Sequence, residues 1–278
     1  MKRQVIFTVM IFVGISFAGF AKSKQNHEYD PPIYIEENIV KNPVAAESKA
    51  EKFKRVYAKM SPRFRSEIKI AASDMQDFIA AVERLIAGDT ENLLTFCSKE
   101  KLLSSSYVPN DLVKLVPNNL YGVNRSDLSL RKTAEQALSV MAAAALNERV
   151  WLAASSSYRS YDYQVKLYER NVRELGKAAA DRESARPGAS QHQLGTVVDF
   201  GSVTDAYART NAGKWLFNNA ENYGWSLSFP SGYEDVTGYR WECWHYRYVG
   251  KEACAIQKKF FNNVQHFMLE FIDAWKSE

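Results

Sequence analysis

The stretch TVVDFG (196–201) sets a carboxylate inside a run that otherwise belongs in a core. Val197, Val198 and Phe200 predict a short buried strand. Asp199 cannot be buried there as a lone anion, because desolvating an unpaired carboxylate is very costly. Any fold for this chain must therefore bring a cation or hydrogen-bond donors to Asp199. His192 stands seven residues ahead, after Pro187, Gly188 and Ser190 in a tight loop. Gly195 lets the backbone turn close to whatever His192 binds. Two readings are open at this point: the two side chains share a metal ion, or they are a hydrogen-bonded histidine and a capped aspartate.

A second cluster, YRWECWHYRYVG (239–250), bears on that choice. The chain has four histidines. His27 lies in a polar leader, and His266 falls on a C-terminal helix, where it reads as an ordinary partly buried or surface residue. His192 and His245 remain. Structural zinc sites have four protein ligands, whereas catalytic ones have three and leave a position for water. Glu242 precedes His245 by three residues, with aromatics on both sides to exclude water. A glutamate so placed can act as a general base without ligating the metal. The bland alternative is an aromatic-packed strand with a surface glutamate.

The N-terminus, MKRQVIFTVMIFVGISFAGFA (1–21), has Lys2 and Arg3 ahead of an apolar run. Gly19 and Ala21 then stand at the −3 and −1 positions of a cleavage site, so residues 1–21 read as a secretory signal peptide. Its apolar run is short for a membrane span, and no later stretch approaches span length. Removing Lys2 and Arg3 lowers the formal charge from +4 to +2 (4 − 2, with no acidic residue in 1–21). That balance, without a dense basic run, gives no support to a nucleic-acid partner. The expected location is exported, in the periplasm or cell envelope. In such a compartment Cys243 and Cys254, the nearest pair in sequence, can form a disulfide, but buried free thiols are the preferred reading.

Residues 22–98 read as a polar leader followed by a helical segment. Phe53, Val56, Tyr57 and Met60, then Met75, Phe78, Ile79, Val82 and Ile86, keep helical spacing on either side of Pro62. From 99 to 278 the texture is mixed. Helices are expected at 130–146, at 161–175 between a Ser160 N-cap and Gly176, at 213–223, and from 251 onward. Strands are expected in RVWLAASS (149–156), TVVDFG, WSLSFP (225–230) and HYRYVG (245–250). The fold class is α+β, a small mostly antiparallel sheet flanked by helices, with an additional N-terminal helical segment.

Three motifs in order, SSYRSYDYQ (156–164), ARPGASQHQLGTVVDFG (185–201) and GYRWECWHYRYVG (238–250), resemble the zinc D,D-carboxypeptidases of the VanY type. These are peptidases related to lysostaphin and the hedgehog N-terminal domain, and they include LD-carboxypeptidases. The resemblance runs from about residue 99 to 255. It implies one Zn²⁺ held by His192, Asp199 and His245, with Glu242 as catalytic base. It places Arg159 beside a substrate carboxylate or the developing oxyanion, and Ser156, Gln164 and Ser190 along the same cleft. The implied reaction removes a terminal D-alanine, at a D-Ala-D-Ala or L,D bond, from peptidoglycan stem peptides. The alternatives are a peptidoglycan endopeptidase and a non-catalytic, zinc-stabilised wall-binding module. The chain departs from the family pattern at Cys243, usually Pro, at Ser157, often Gly, and at Gln191, often Glu. None of these removes a ligand or the base.

Overall fold

The computed structural model describes residues 48–278. The signal peptide read over 1–21, and His27, lie outside the described residues. Helices α1 (Lys49–Lys59), α2 (Pro62–Glu67) and α3 (Met75–Gly88) lead into two short strands, β1 (Leu112–Lys114) and β2 (Tyr121–Val123). Then come β3 (Ser129–Arg131), α4 (Lys132–Asn147), β4 (Leu152–Ser156), α5 (Tyr161–Leu175), α6 (Lys177–Glu183) and β5 (Val197–Phe200). The chain ends with α7 (Asn211–Asn219), β6 (Trp225–Leu227), α8 (Glu234–Thr237), β7 (His245–Tyr248), α9 (Lys251–Phe260) and α10 (Gln265–Ser277).

Five strands form one sheet in the order β2-β4-β5-β7-β6. Only the β2–β4 pair is parallel; the other three pairings are antiparallel. The expected α+β architecture is the one observed. β1 and β3 form a separate antiparallel pair. Alternation along each strand divides the central sheet into two faces. Val198, Phe200 and Tyr246 turn toward the small-residue face of α4, where Ala134, Leu138, Met141, Ala142 and Ala145 are buried. Asp199 and His245 turn the other way.

A second core holds α1, α2 and α3 against α9 and α10. The N-terminal helical stripe read from the sequence is thus a packing surface. Its centre is aromatic. Phe78, fully buried, meets Phe271 at a ring distance of 5.0 Å, Phe260 at 5.3 Å and Phe53 at 5.5 Å. Phe78→Ala removes these contacts and leaves a void, so a loss of about 3–5 kcal/mol in unfolding free energy is expected from denaturant titration.

One expectation changes. The helix read at 213–223 is α7 followed by a tight 3-10 turn, Ala220–Tyr223, that closes on left-handed Gly224. For the cysteines the preferred reading is the one observed: all three are buried free thiols, and Cys243 does not pair with Cys254. The reason is topological: β7 carries the chain from one core to the other between them. Cys243 belongs to the sheet–α4 core and Cys254 to the helical one.

Candidate metal centre and cleft

Strand register makes this site. β5 and β7 pair so that Asp199 lies directly opposite His245. β4 and β5 pair, across an irregularity between Ala154 and Ser156, so that Ser156 lies opposite Asp199 on its other side. Residues far apart in sequence therefore form one row across three strands. His192 reaches the row from a 3-10 turn, Gln191–Leu194, just before β5. That turn exits through Gly195 at φ 69°, where a Cβ would stand 3.0 Å from both Arg131 and Leu112. The left-handed backbone and the close side chains of β1 and β3 thus both favour glycine here; the sequence reading had tied it to the group that His192 binds.

His192, Asp199 and His245 are each at most 4% exposed, and one ligand atom from each lies within 4.8 Å of the other two. His192 Nε2 is 3.2 Å from Asp199 Oδ2, and His245 Nδ1 is 3.1 Å from Asp199 Oδ1. The outer nitrogens are occupied elsewhere. His192 Nδ1 donates to the Ser157 carbonyl at 2.6 Å, which leaves Nε2 as a lone-pair donor facing Asp199. His245 Nε2 meets Gln191 Oε1 at 3.4 Å, so its Nδ1 faces inward.

Electrostatics agree with a cation at this point. Burial, reinforced by the Arg159 charge, pushes His192 down to about 4, so its imidazole is neutral, the form that ligates metal. Burial works against ionisation of Asp199, yet the two histidines hold its carboxyl well below the usual range. Burial likewise opposes charge on His245, and the Asp199 and Glu242 carboxylates outweigh it and raise that imidazole. Asp199 Oδ1 accepts no well-formed hydrogen bond although it is buried. Two imidazole nitrogens and a carboxylate oxygen around such an orphaned acceptor fit a divalent metal with an open coordination position.

Glu242 stands beside this group. Its Oε2 is 3.3 Å from His245 Nδ1, and its side chain is 12% exposed, so it reaches both the histidine and the adjoining cleft. The cleft has a volume of about 370 Å³. Arg159, Ser190, His192, Asp199, Glu242 and His245 all line it. Arg159 Nη2 donates to Asp199 Oδ2 at 2.9 Å and to Ser156 Oγ at 2.9 Å. Ser156 thus acts as a prop for the arginine. Gln164, 1% exposed, donates through Nε2 to the Ala185 carbonyl at 2.7 Å and steadies a wall segment. Ser156 and Gln164 lie one layer behind the lining residues. Ser190 is on the wall itself.

The sequence reading missed three neighbours. Phe229 packs on the His245 ring at 4.6 Å, and Tyr239 packs on Phe229 at 4.9 Å. Both line the cleft. The Tyr239 hydroxyl is buried without a partner. Gln191 was noted only as a departure, not as the partner of His245. His266 is half-buried against the edge of Phe96, with ring centroids 5.0 Å apart, and is not among the metal-capable group.

The VanY D-alanyl-D-alanine carboxypeptidase family model matches residues 127–251, the stretch that contains every one of these ligand atoms. YodJ of Bacillus subtilis (strain 168), a protein named as a carboxypeptidase, is 35% identical over 220 residues, covering 76% of this chain and 80% of YodJ. The chain belongs to the VanY-type D-Ala-D-Ala carboxypeptidase family. Solved structures of that group share the fold. The LdcB LD-carboxypeptidase superposes with a TM-score of 0.59 at 34% identity, covering 67% of this chain and 88% of LdcB. A variant of the vancomycin-resistance D,D-pentapeptidase VanY in complex with Zn(II) superposes with a TM-score of 0.50 at 27% identity, covering 62% and 94%.

Proposed function

We propose that this VanY-type chain is an exported, zinc-dependent carboxypeptidase that removes the terminal D-alanine from peptidoglycan stem peptides during cell-wall remodelling. The observation that carries this reading is the register that sets Asp199 against His245 and His192, with Glu242 beside them on the wall of a cleft. His192, Asp199 and His245 would hold one Zn²⁺. Bound there, zinc supplies a water of lowered pKa and polarises the scissile carbonyl.

The remaining work falls to the chain. Glu242 Oε2 takes the water's proton and returns it to the leaving amine. Arg159 is held by Ser156 and Asp199, and directs its planar fork at the C-terminal carboxylate or the oxyanion. Ser190 lines the cleft, while Gln164 holds the wall segment at Ala185 in place. Phe229 and Trp244 exclude bulk water around the ligands. Among the described residues no helix is long and apolar enough to cross a membrane. Export itself rests on the reading of residues 1–21.

Mass spectrometry of muropeptides tests this. A pentapeptide ending in D-Ala-D-Ala and a tetrapeptide ending in a single D-Ala are incubated with the protein, together with versions amidated at the C-terminus. Loss of one alanine from a free-carboxylate peptide, with the amidated form intact, is expected. The peptide consumed names the bond as D,D or L,D. Cleavage inside the amidated peptide would replace this reading with an endopeptidase, and no cleavage with zinc bound would replace it with a wall-binding module.

A further inference from the structure

We infer that Gln265, at the start of the C-terminal helix, is a positioning residue for the metal ligand His245, acting through Gln191 and Ser228. The inference rests on the zinc reading above. It concerns one residue of the cleft wall, Gln191, and two behind it, of which Gln265 lies outside residues 127–251 that the family model matches.

Gln191, Ser228 and Gln265 form a closed, buried polar cluster. Their exposures are 9%, 1% and 0%. Ser228 Oγ lies 2.8 Å from Gln191 Oε1 and 3.2 Å from Gln265 Oε1, with its hydroxyl available to either. Gln191 Nε2 donates to Gln265 Oε1 at 3.4 Å. Gln265 Nε2 donates to the Ser226 carbonyl on β6 at 3.3 Å. The outcome is a fixed carboxamide plane on Gln191, and its Oε1 faces His245 Nε2 at 3.4 Å. A ligand histidine whose outer N–H has a held acceptor keeps one tautomer and one ring orientation. Here the acceptor is oriented from behind.

Gln265 is itself placed by the turn between α9 and α10. Asn262 and Asn263 both adopt left-handed backbone, at φ 50° and 58°. Gln257 clamps that turn, donating to the Asn263 carbonyl at 3.0 Å and to Asn263 Oδ1 at 2.9 Å. A buried carboxamide left without partners is costly, because its lost hydrogen bonds to water are not replaced. Gln265 meets that cost by joining α10, β6 and the His192 turn. The helix that completes the second hydrophobic core thereby also sets the His245 ring.

The test is zinc affinity of the full chain, measured by competition with a chromophoric chelator. Gln191→Leu is expected to weaken Zn²⁺ binding about 10- to 100-fold. Gln265→Leu, which touches no ligand, is expected to weaken it roughly 5-fold or more, and the double variant to match Gln191→Leu within about 2-fold, since both act through one contact. Gln191→Glu keeps an acceptor for His245 and is expected to retain affinity within about 3-fold. Saturating zinc should restore kcat in Gln265→Leu. Tyr57→Phe removes hydroxyl bonds to the Arg65 and Ile68 carbonyls in the helical core and touches no member of the cluster. It is expected to bind zinc as the wild type does, whatever it does to melting temperature. Gln265→Met repeats the test should the leucine variant not fold. Wild-type zinc affinity in folded Gln265 variants, or a double variant that loses the product of the two single effects, overturns the inference. A wild-type chain that binds no zinc overturns the proposed function instead.

Discussion

Glu242→Gln is expected to lower kcat by about 10³-fold while the protein keeps its zinc. Gln matches Glu in size and can sit at the same point of the cleft wall. It cannot take a proton from water at neutral pH. Glu242 is not among the three groups whose ligand atoms converge. Its Oε2 lies 3.3 Å from His245 Nδ1 and its side chain retains some exposure to the cleft. A proton-transferring group needs both features: reach to the reacting water, and a path for the proton. Zinc affinity, read by chelator competition, should stay within about 3-fold of wild type, while alanine release nearly disappears. Zinc lost in step with activity would make Glu242 a ligand and leave the site without its base.

Asp199→Asn is the second large effect. Asp199 is the charge on which this face of the sheet is organised: Arg159 stands at 2.9 Å, His245 at 3.1 Å and His192 at 3.2 Å. The amide keeps the shape and removes the anion. Zinc affinity is expected to fall by on the order of 10³-fold, because a hard, charged oxygen donor has been replaced by a weak neutral one. The metal-free protein is also expected to lose about 3 kcal/mol, since removing one member of a buried ion pair strands the others without compensation. Chelator competition reads the first effect and urea titration the second. Unchanged zinc binding would mean that the Asp199 row is structural only.

The candidate residues of this site were legible in the sequence for a chemical reason, while their assignment as ligands and base came from the likeness of three motifs to the VanY type. A carboxylate in an apolar strand, two histidines in dense settings and a glutamate three residues before one of them carry information locally. The strands β4, β5 and β7 and the helices α4 and α5 were legible for the same reason, since their periodicity or cap residues lie within each segment. Strands β1, β2 and β3 were not. Each has three residues, too few for a period, and exists through pairing with a distant partner. The placement of Ser156 and Gln164 behind the wall depends on where β4 and α5 sit in space, which no spacing encodes. Gln265 gave no signal at all, because a glutamine at a helix start reads as solvent-facing. Its burial follows only from α10 closing over β6. The apolar stripe of α1 and α3 was visible, but its partner, the Phe261, Phe267 and Phe271 face of the C-terminal helices, is set by long-range packing.

The most direct measurement is alanine release from the free-carboxylate muropeptides by the full chain before chelation, after chelation, and after stoichiometric zinc is returned. Release that stops with chelator and resumes at about one zinc per chain is the expected result. Release that persists in the metal-free protein would contradict a zinc centre at His192, Asp199 and His245.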